Sequence, residues 1–203
     1  MQALLEKRIF AVCVLVTAAL IAGIAGYSTL RPGRMPLSSG TALMGGPFTL
    51  TSHEGKRVTN EDFRGKYMLV TFGYTYCPDV CPTELQIISA ALDLLGERGK
   101  DIQPIFITID PERDSVAALA QYMPNFHPRY VGLTGTAEEI QAVARAYRVY
   151  YAKVAGQGGQ DYLMDHSSII YLMDKQGTFL KHFSYGTDAK QLAEGIGAAI
   201  DSQ

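Results

Sequence analysis

The sequence has no excess of positive charge. Of its 203 residues, 18 are lysine or arginine and 20 are aspartate or glutamate, which gives a formal net charge of −2. Proteins that bind nucleic acid usually carry a basic patch that contacts phosphate, and this composition argues against such a partner. Internal repeats and low-complexity tracts are also missing. With 47% hydrophobic and 19% charged residues, the composition is that of one globular domain plus a short extra segment.

Charge is absent from one long stretch near the N-terminus. The eighteen residues Ile9–Gly26 are uncharged and mostly apolar, and Lys7 and Arg8 precede them. This length just reaches what a helix needs to span hydrocarbon, and it exceeds the usual signal-peptide core of about 7–15 residues. We therefore predict a transmembrane anchor over residues 9–27. The alternative is a cleaved signal segment, because Gly23-Ile24-Ala25 offers a small-x-small cleavage pattern.

The anchor divides the rest of the chain. The two basic residues before it favour a cytoplasmic location for residues 1–8. The bulk of the chain would then be exported. A segment rich in arginine, proline, glycine and serine follows, and it predicts a linker over residues 28–45. Residues 46–203 are predicted to form the folded domain.

Cysteine is scarce, with three residues in the whole chain. Cys13 lies inside the apolar segment and is expected to be an inert small hydrophobe. Cys77 and Cys81 belong to the exported domain, and disulfides persist outside the cytoplasm. A bridge between them would close a very small loop and would therefore stabilise the fold little. A domain of about 160 residues also buries enough core without one. A purely structural disulfide is a poor explanation of the pair.

Strands and helices are predicted to alternate along the domain. The expected elements are a β-hairpin (48–59), a buried strand (67–73), a helix (83–99), a second strand (102–109), a helix capped by Asp114 or Ser115, a short strand (130–135), a helix with a Thr136/Glu139 capping box, a strand (149–154), a glycine-rich loop (155–166), a hairpin (167–184) and a closing helix. This order is that of an α/β, thioredoxin-like domain with an extra N-terminal β-hairpin.

The cysteine pair follows the first buried strand of this pattern. Sites in such sheets form at the carboxyl ends of parallel strands. Pro82 suits the first helical position, which predicts Cys81 as the helix cap. The positive end of the helix dipole and the free N–H groups stabilise a thiolate, so at least one cysteine should have a lowered pKa. The position predicts a reactive pair.

The spacing of the pair leaves its chemistry open. Four residues of helix rise about 6 Å, which a disulfide tolerates and which also places two ligands on one face. Two sulfurs bound to one metal lie roughly 4 Å apart, against about 2 Å in a disulfide. Both states are reachable by a small movement of the loop. His166 stands just before the predicted strand Ile169–Met173, where a thioredoxin-like fold would face the cysteine loop. Taken alone, a loop histidine is most often a surface residue.

Three motifs carry a resemblance to a known family. They are GYTYCPDVCPTEL at residues 73–85, ITIDPERD at residues 107–114 and DHSSIIYLMDKQG at residues 165–177. In order and spacing they resemble the Sco/SenC family of copper-binding proteins that assemble cytochrome c oxidase. The resemblance covers roughly Gly46 to Ser202, and no departure from the family pattern occurs at the three motifs.

The resemblance implies a copper site formed by Cys77, Cys81 and His166. Thiolates are soft ligands that select Cu(I), while imidazole suits both Cu(I) and Cu(II). Zinc also accepts two cysteines and a histidine, so the ligand set alone does not identify the metal. Asp79 and Asp165 are neighbours of this site within the motifs. The role of Asp110, at the end of the second strand, is left open with theirs.

The resemblance also implies a function and a location. The first hypothesis is a membrane-anchored copper metallochaperone, not an enzyme in the turnover sense, that serves the copper site of cytochrome c oxidase subunit II. Other copper chaperones or thiol reductants would be further partners. The expected location is the inner membrane, single-pass, with the domain on the periplasmic or intermembrane-space side.

Two other hypotheses use the same cysteines. In the stronger one, Cys77 and Cys81 are the redox-active pair of a thiol-disulfide reductase that keeps the client's copper-binding cysteines reduced. His166 would then only tune the thiols. A weaker hypothesis is a redox-responsive signalling protein.

Overall fold

The structure is a computed structural model that describes residues 44–155 and 162–203. The predicted cytoplasmic segment (1–8), the predicted anchor (9–27) and nearly all of the predicted linker (28–45) lie outside these residues, so they stay predictions. Within the described residues, no helix is both long and apolar enough to cross a membrane.

Nine strands and four α-helices are described in these ranges. The strands are β1 (Thr49–Ser52), β2 (Arg57–Thr59), β3 (Tyr67–Gly73), β4 (Ile102–Thr108), β5 (Val131–Thr134), β6 (Tyr151–Val154), β7 (Leu163–His166), β8 (Ile169–Met173) and β9 (Phe179–Ser184). The α-helices are α1 (Val80–Leu95), α2 (Val116–Tyr122), α3 (Ala137–Ala146) and α4 (Ala189–Asp201), and short 3-10 helices cover Asn60–Phe63, Gly96–Asp101 and Met123–Asn125.

Seven of the strands form one sheet in the order β2-β1-β5-β4-β3-β8-β9. Its centre, β3 to β5, is parallel, and the remaining pairs are antiparallel. β6 and β7 form a separate two-stranded sheet, the small sheet. β1 and β2 form the predicted N-terminal hairpin. The alternation of strands and helices around a parallel centre confirms the thioredoxin-like α/β fold.

The two faces of the large sheet bury different residues of the same strands. In β3, Val70 and Phe72 pack in a cluster that includes α3 residues. Leu69 points to the other cluster, which contains residues of α1, α2 and α4. Because side chains alternate along a strand, a strand covered on both faces must be apolar throughout. All seven residues of β3 are therefore buried.

The start of α1 corrects the expectation that Cys81 caps the helix. The helix begins at Val80, with Asp79 at the N-cap position. Cys81 is thus the second helical residue and Pro82 the third. Proline is tolerated there because the first four N–H groups of a helix have no partner within it. The helix dipole argument for a thiolate still holds, since both cysteines lie at this helix end.

The strand β7 corrects the expectation of a loop up to residue 166. The glycine-rich composition predicts a loop, but Leu163–His166 pairs antiparallel with Tyr151–Val154, with Tyr151 opposite His166. Four residues of mixed polarity carry no periodic signal. Their extended conformation is stabilised by pairing with a strand that precedes the glycine-rich segment.

Candidate metal centre

The loop from β3 to α1 places both cysteines at the carboxyl end of β3. Gly73, the last residue of β3, makes room for Cys81: a Cβ on Gly73 would lie 3.0 Å from the Cys81 Sγ and 2.8 Å from the Phe106 ring. The Cys81 side chain is buried, with 3% of it exposed. Cys77 is only partly buried. One sulfur is therefore packed against the sheet and the other is accessible.

The sulfur of Cys77 takes over the capping role at the start of α1. Its Sγ accepts a hydrogen bond from the Cys81 backbone N–H at 3.3 Å. The Cys77 N–H in turn donates to the Tyr74 carbonyl at 3.2 Å. Asp79, at the N-cap position, makes no capping hydrogen bond with its side chain. A sulfur that accepts a helix N–H is best satisfied as a thiolate.

The contacts of the two thiols shift their pKa values in opposite directions. Hydrogen bonding from Cys81, and then from His166 and the loop backbone, lowers the pKa of Cys77 to about 4. The Cys77 thiolate and burial raise the pKa of Cys81. The prediction that at least one cysteine has a lowered pKa thus agrees with the structure. These opposite shifts favour a single negative charge in the pair, on the accessible sulfur.

His166 reaches the cysteines from the end of β7. Its Nε2 lies 3.5 Å from the Cys81 Sγ. Its Nδ1 lies 3.1 Å from the Ser167 carbonyl oxygen, which can only accept, so Nδ1 carries a proton and Nε2 faces the sulfur. The ring packs edge-on against Tyr74, with ring centroids 6.1 Å apart.

The pKa of His166 reflects two opposing influences. Burial by itself lowers it, but hydrogen bonding to Cys77 and Ser167 outweighs burial, and the net pKa is raised. A negatively charged sulfur next to an imidazole has this effect because it favours the protonated ring. The imidazole and the thiolate therefore stabilise each other.

A cavity of about 230 Å³ opens beside these side chains. Its lining includes Cys77, Met164 and His166, and also Asp79 and Asp165, which are both exposed. Because the Ser167 carbonyl holds Nδ1 of the ring, the orientation of His166 does not depend on Asp165 in the contacts described. The two aspartates lie at the rim and make the approach to the thiolate acidic.

Asp110 both starts a turn and forms a buried ion pair. Its backbone carbonyl accepts from the N–H groups of Arg113 and Asp114, and its side chain pairs with Arg113. Its Oδ2 accepts from Arg113 Nε at 2.5 Å, and its Oδ1 accepts from the Tyr162 hydroxyl at 2.8 Å. Asp114, three residues after Pro111, accepts from the Thr75 N–H at 3.0 Å. The motif at residues 110–114 therefore contacts both the cysteine loop and the residue that precedes β7.

Glu84 is a buried acid that the sequence motifs left unnoticed. Only 7% of it is exposed, and burial raises its pKa to about 7. It stands three residues after Cys81 on α1, which puts both on one face of the helix. That spacing was the signal that could have located it. An acid near neutrality there can gain or lose a proton when the charge of the site changes.

The distances suit a shared ion without being a finished cage. A metal with tetrahedral angles, a sulfur at about 2.3 Å and a nitrogen at about 2.0 Å separates the two ligands by about 3.5 Å. The Cys81–His166 distance of 3.5 Å matches this value. Across the described residues, however, no three or more histidine, cysteine, aspartate or glutamate side chains are already arranged to hold a metal. The groups contact each other directly, and an ion would have to replace those contacts.

The fold and site together define a thioredoxin-like domain with a thiolate, a thiol and an imidazole at the carboxyl end of its central strand. A family model described as SCO1/SenC matches residues 37–201. The chain belongs to the SCO1/SenC family.

Relatives from plants and animals support this assignment. The chain is 46% identical over 160 residues to the mitochondrial protein SCO1 homolog 1 of Arabidopsis thaliana. This match covers 78% of this chain and 48% of the relative. It is 45% identical over 159 residues to the mitochondrial SCO1 homolog of Homo sapiens, covering 77% of this chain and 53% of the relative. The chain matches about half the length of these curated relatives.

A solved structure shows the same fold with a metal. The crystal structure of Arabidopsis thaliana ScoI with copper bound superposes with a TM-score of 0.76 at 44% sequence identity. The match covers 79% of this chain and 99% of the ScoI chain.

Proposed function

We propose that this protein is a copper metallochaperone that carries one copper ion on Cys77, Cys81 and His166. The observation that supports this most directly is the contact of 3.5 Å between Cys81 Sγ and His166 Nε2. These residues are 85 positions apart, so only the fold brings them together. Copper is bound in the similar plant protein, and its family is the family of this chain.

The charge of the site fits copper in both oxidation states. With two thiolates and a neutral imidazole, the ligands carry a charge of −2, which neutralises Cu(II) and leaves one negative charge with Cu(I). Thiolates favour Cu(I), and the imidazole accepts either state. Three ligands also leave a position free for a ligand of the recipient. The rim of the site, where Asp79 and Asp165 are exposed, would attract a cation.

We further propose that the client is the copper site of cytochrome c oxidase subunit II. Membership of the Sco family supports this client. An anchor over residues 9–27 in the inner membrane would hold the domain beside a membrane-bound client, on the periplasmic or intermembrane-space side. Such tethering raises the effective concentration of the chaperone at the client. Other copper chaperones or thiol reductants would load and reduce the site.

Substitution of the imidazole tests the metal assignment. In the reduced domain, His166→Ala should cause a marked loss of Cu(II) binding and of the thiolate-to-copper charge-transfer absorption, with the dithiol chemistry largely intact. His182→Ala is the matched control, because His182 is exposed on β9 and should leave both signals unchanged. Unchanged copper retention in His166→Ala would overturn the assignment.

A thiol-disulfide reductase is the second candidate, and the asymmetry of the thiols favours it. An accessible thiolate with a low pKa can attack a disulfide, and a buried neighbouring thiol can then resolve the mixed disulfide. Cys77 has the first character and Cys81 the second.

Alkylation of the metal-free protein measures this asymmetry. Because the pKa of Cys77 is about 4, its alkylation rate should be nearly constant between pH 6 and pH 8. The alkylation rate of an ordinary thiol, with a pKa near 8.5, falls by on the order of tenfold for each unit by which the pH is lowered in that range. The urea-unfolded protein is the control and should show the ordinary dependence. A steep rise for Cys77 in the folded protein would rule out a preformed thiolate.

A further inference from the structure

The candidate site has two halves: the cysteine half is the loop between β3 and α1, and the histidine half is the small sheet, which carries His166. The residues of the motif DPERD, at 110–114, lie between these halves. We propose that Arg113 is a positioning residue that holds the small sheet, and with it His166, against the cysteine loop. The metal-binding part of this inference rests on the proposed function. The mechanical part does not, because it concerns the contacts of the metal-free protein.

On one side Arg113 grips the residue that leads into β7. Its guanidinium Nη1 donates to the Tyr162 carbonyl at 2.8 Å, and its centre lies 3.7 Å from the centroid of the Tyr162 ring. Tyr162 directly precedes β7 and stands four residues before His166. A contact that fixes both the backbone and the ring of Tyr162 therefore sets where β7 begins.

On its other side Arg113 faces the aromatic residues of the cysteine loop. The guanidinium lies 4.8 Å from the ring centroid of Tyr76 and 5.8 Å from that of Tyr74. Both distances are within the range of cation–π attraction. Tyr76 is the neighbour of Cys77 in the sequence, and Tyr74 packs edge-on against His166. One cation thus contacts rings from both halves of the site.

The position of Arg113 is itself fixed by a buried ion pair with Asp110. Its side chain is 14% exposed and that of Asp110 is 1% exposed, with Nε and Oδ2 2.5 Å apart. Asp110 also accepts from the Tyr162 hydroxyl at 2.8 Å. Asp114 binds the Thr75 N–H at 3.0 Å and the Thr75 hydroxyl at 2.6 Å. A planar guanidinium can make directed hydrogen bonds and stack on rings at the same time, which a lysine ammonium cannot.

The small sheet depends on such contacts because it is not part of the large sheet. β6 and β7 pair only with each other in the described residues. At their base the Ser167 N–H donates to the Tyr150 carbonyl at 3.0 Å. No ladder of backbone hydrogen bonds ties either strand to β3, where the cysteine loop begins. β8 begins three residues after His166 and does pair with β3, so the chain itself ties this end of β7 to the large sheet. The position of the rest of the small sheet against the cysteine loop depends on side chains.

Loss of the Arg113 contacts should affect the binding of Cu(I) and of Cu(II) unequally. Two soft thiolates from one loop can hold Cu(I) by themselves, whereas Cu(II) also requires the imidazole for a tight site. Residues that orient a metal ligand typically change metal affinity by 10–100-fold when they are substituted. We expect a loss of that size for Cu(II) and less than about threefold for Cu(I).

The test uses Arg113→Lys and Tyr162→Ala, compared with Arg129→Lys. Arg129 is a matched control because it is a part-buried arginine that binds backbone carbonyls, those of Gly99 and Ile102, away from the site. In the metal-free protein, hydrogen exchange should become at least about tenfold faster in β6 and β7 for both site variants. Exchange in β3 and β4 should stay as in the wild type. Cu(II) and Cu(I) affinities are measured on the same variants by competition with chelators.

The outcomes separate this inference from the proposed function. Wild-type exchange rates in the small sheet of both site variants would overturn the positioning role, as would equal acceleration in β3 and β4. An equal loss of Cu(I) and Cu(II) affinity would also overturn it. If His166→Ala leaves Cu(II) binding unchanged, the copper assignment fails, and exchange in the small sheet still judges the role of Arg113. Arg129→Lys should change neither the exchange of the small sheet nor the ratio of the two affinities.

Discussion

Seven consecutive buried residues of β3 lead into the cysteine loop, whereas His166 ends a strand of four residues in a sheet of two. β3 is bonded to β4 on one side and β8 on the other. The sixteen residues of α1 follow the loop and pack on the same sheet. The cysteine loop is therefore flanked by backbone ladders and core packing. In the described residues, the strand that ends at His166 has a short antiparallel pairing, side-chain contacts and the chain connection to β8, which begins at Ile169.

This difference has a functional reading. Strands that are paired in a ladder and buried open only when the whole protein unfolds, whereas elements with few such contacts open locally at a lower free energy. Under the proposed function, the two sulfurs form the permanent half of the site and the imidazole the adjustable half. An ion could then be held by three ligands and passed on when the imidazole withdraws.

Truncation of one leucine in each half should give the largest difference in stability between the two halves. Leu69 is fully buried at the centre of β3, and Leu163 is partly buried at the start of β7. Leu69→Ala should lower the free energy of unfolding by about 2–5 kcal/mol because it leaves a cavity in the core. Leu163→Ala should cost about 1 kcal/mol or less. Urea unfolding followed by circular dichroism measures both, and equal losses would contradict the contrast.

The pH dependence of stability should reveal the buried acid of the cysteine half. The pKa of Glu84 is about 7 in the folded protein, against a reference value of 4.5. Because this pKa is raised in the folded protein, the contribution of Glu84 to stability is fully present below pH 4.5 and is lost as the pH rises through about 7. Glu84→Gln should therefore be more stable than the wild type by about 3 kcal/mol at pH 8, with no such difference near pH 4. Parallel stability curves for both proteins from pH 4 to pH 8 would refute this.

A methyl group added at the end of β3 should displace one sulfur of the cysteine half. In Gly73→Ala the new Cβ would meet the Phe106 ring at 2.8 Å and Cys81 Sγ at 3.0 Å. Overpacking of this kind costs about 1–3 kcal/mol of unfolding free energy, and we expect copper affinity to fall with it. Gly46→Ala is the control, since its Cβ would meet Ala146 at 3.4 Å, an ordinary contact. Thermal unfolding and copper titration of both variants decide the question.

The smallest effect is expected at the surface of the histidine half. Lys153 on β6 pairs with Glu112 at 2.6 Å, but the two side chains are 46% and 65% exposed. Exposed pairs contribute about 0–1 kcal/mol. Lys153→Gln should therefore change the unfolding free energy by less than about 0.5 kcal/mol and the Cu(II) affinity by less than about twofold. A larger loss would mean that Lys153 also holds the small sheet, through this ion pair or through its ammonium, which lies 4.4 Å from the centroid of the Tyr162 ring.

Local patterns predicted most of the large sheet. The apolar run of β3 and the capping box of Thr136 and Glu139 are encoded in consecutive residues, and the structure contains both. The strand β7 was missed because four residues of mixed polarity have no period. The first residue of α1 was misplaced because Pro82 is tolerated at several positions of a first turn.

The candidate site was only partly predictable for a related reason. Cys77 and Cys81 share one short motif, so their neighbourhood is local. The burial of Glu84 and the bridging role of Arg113 depend on which elements cover them, and spacing in the sequence does not report that. His166 was found through its motif rather than through any physical signal in its own segment.

Consecutive residues of the sequence were enough to predict most of the elements and the reactive character of the cysteine pair, because periodicity and helix-end chemistry act over a few residues. The fold brings an imidazole from 85 positions away to 3.5 Å from the Cys81 sulfur, and it places Arg113 between rings from both halves of the site. Contacts between distant segments depend on chain topology and on packing, which are properties of the whole fold.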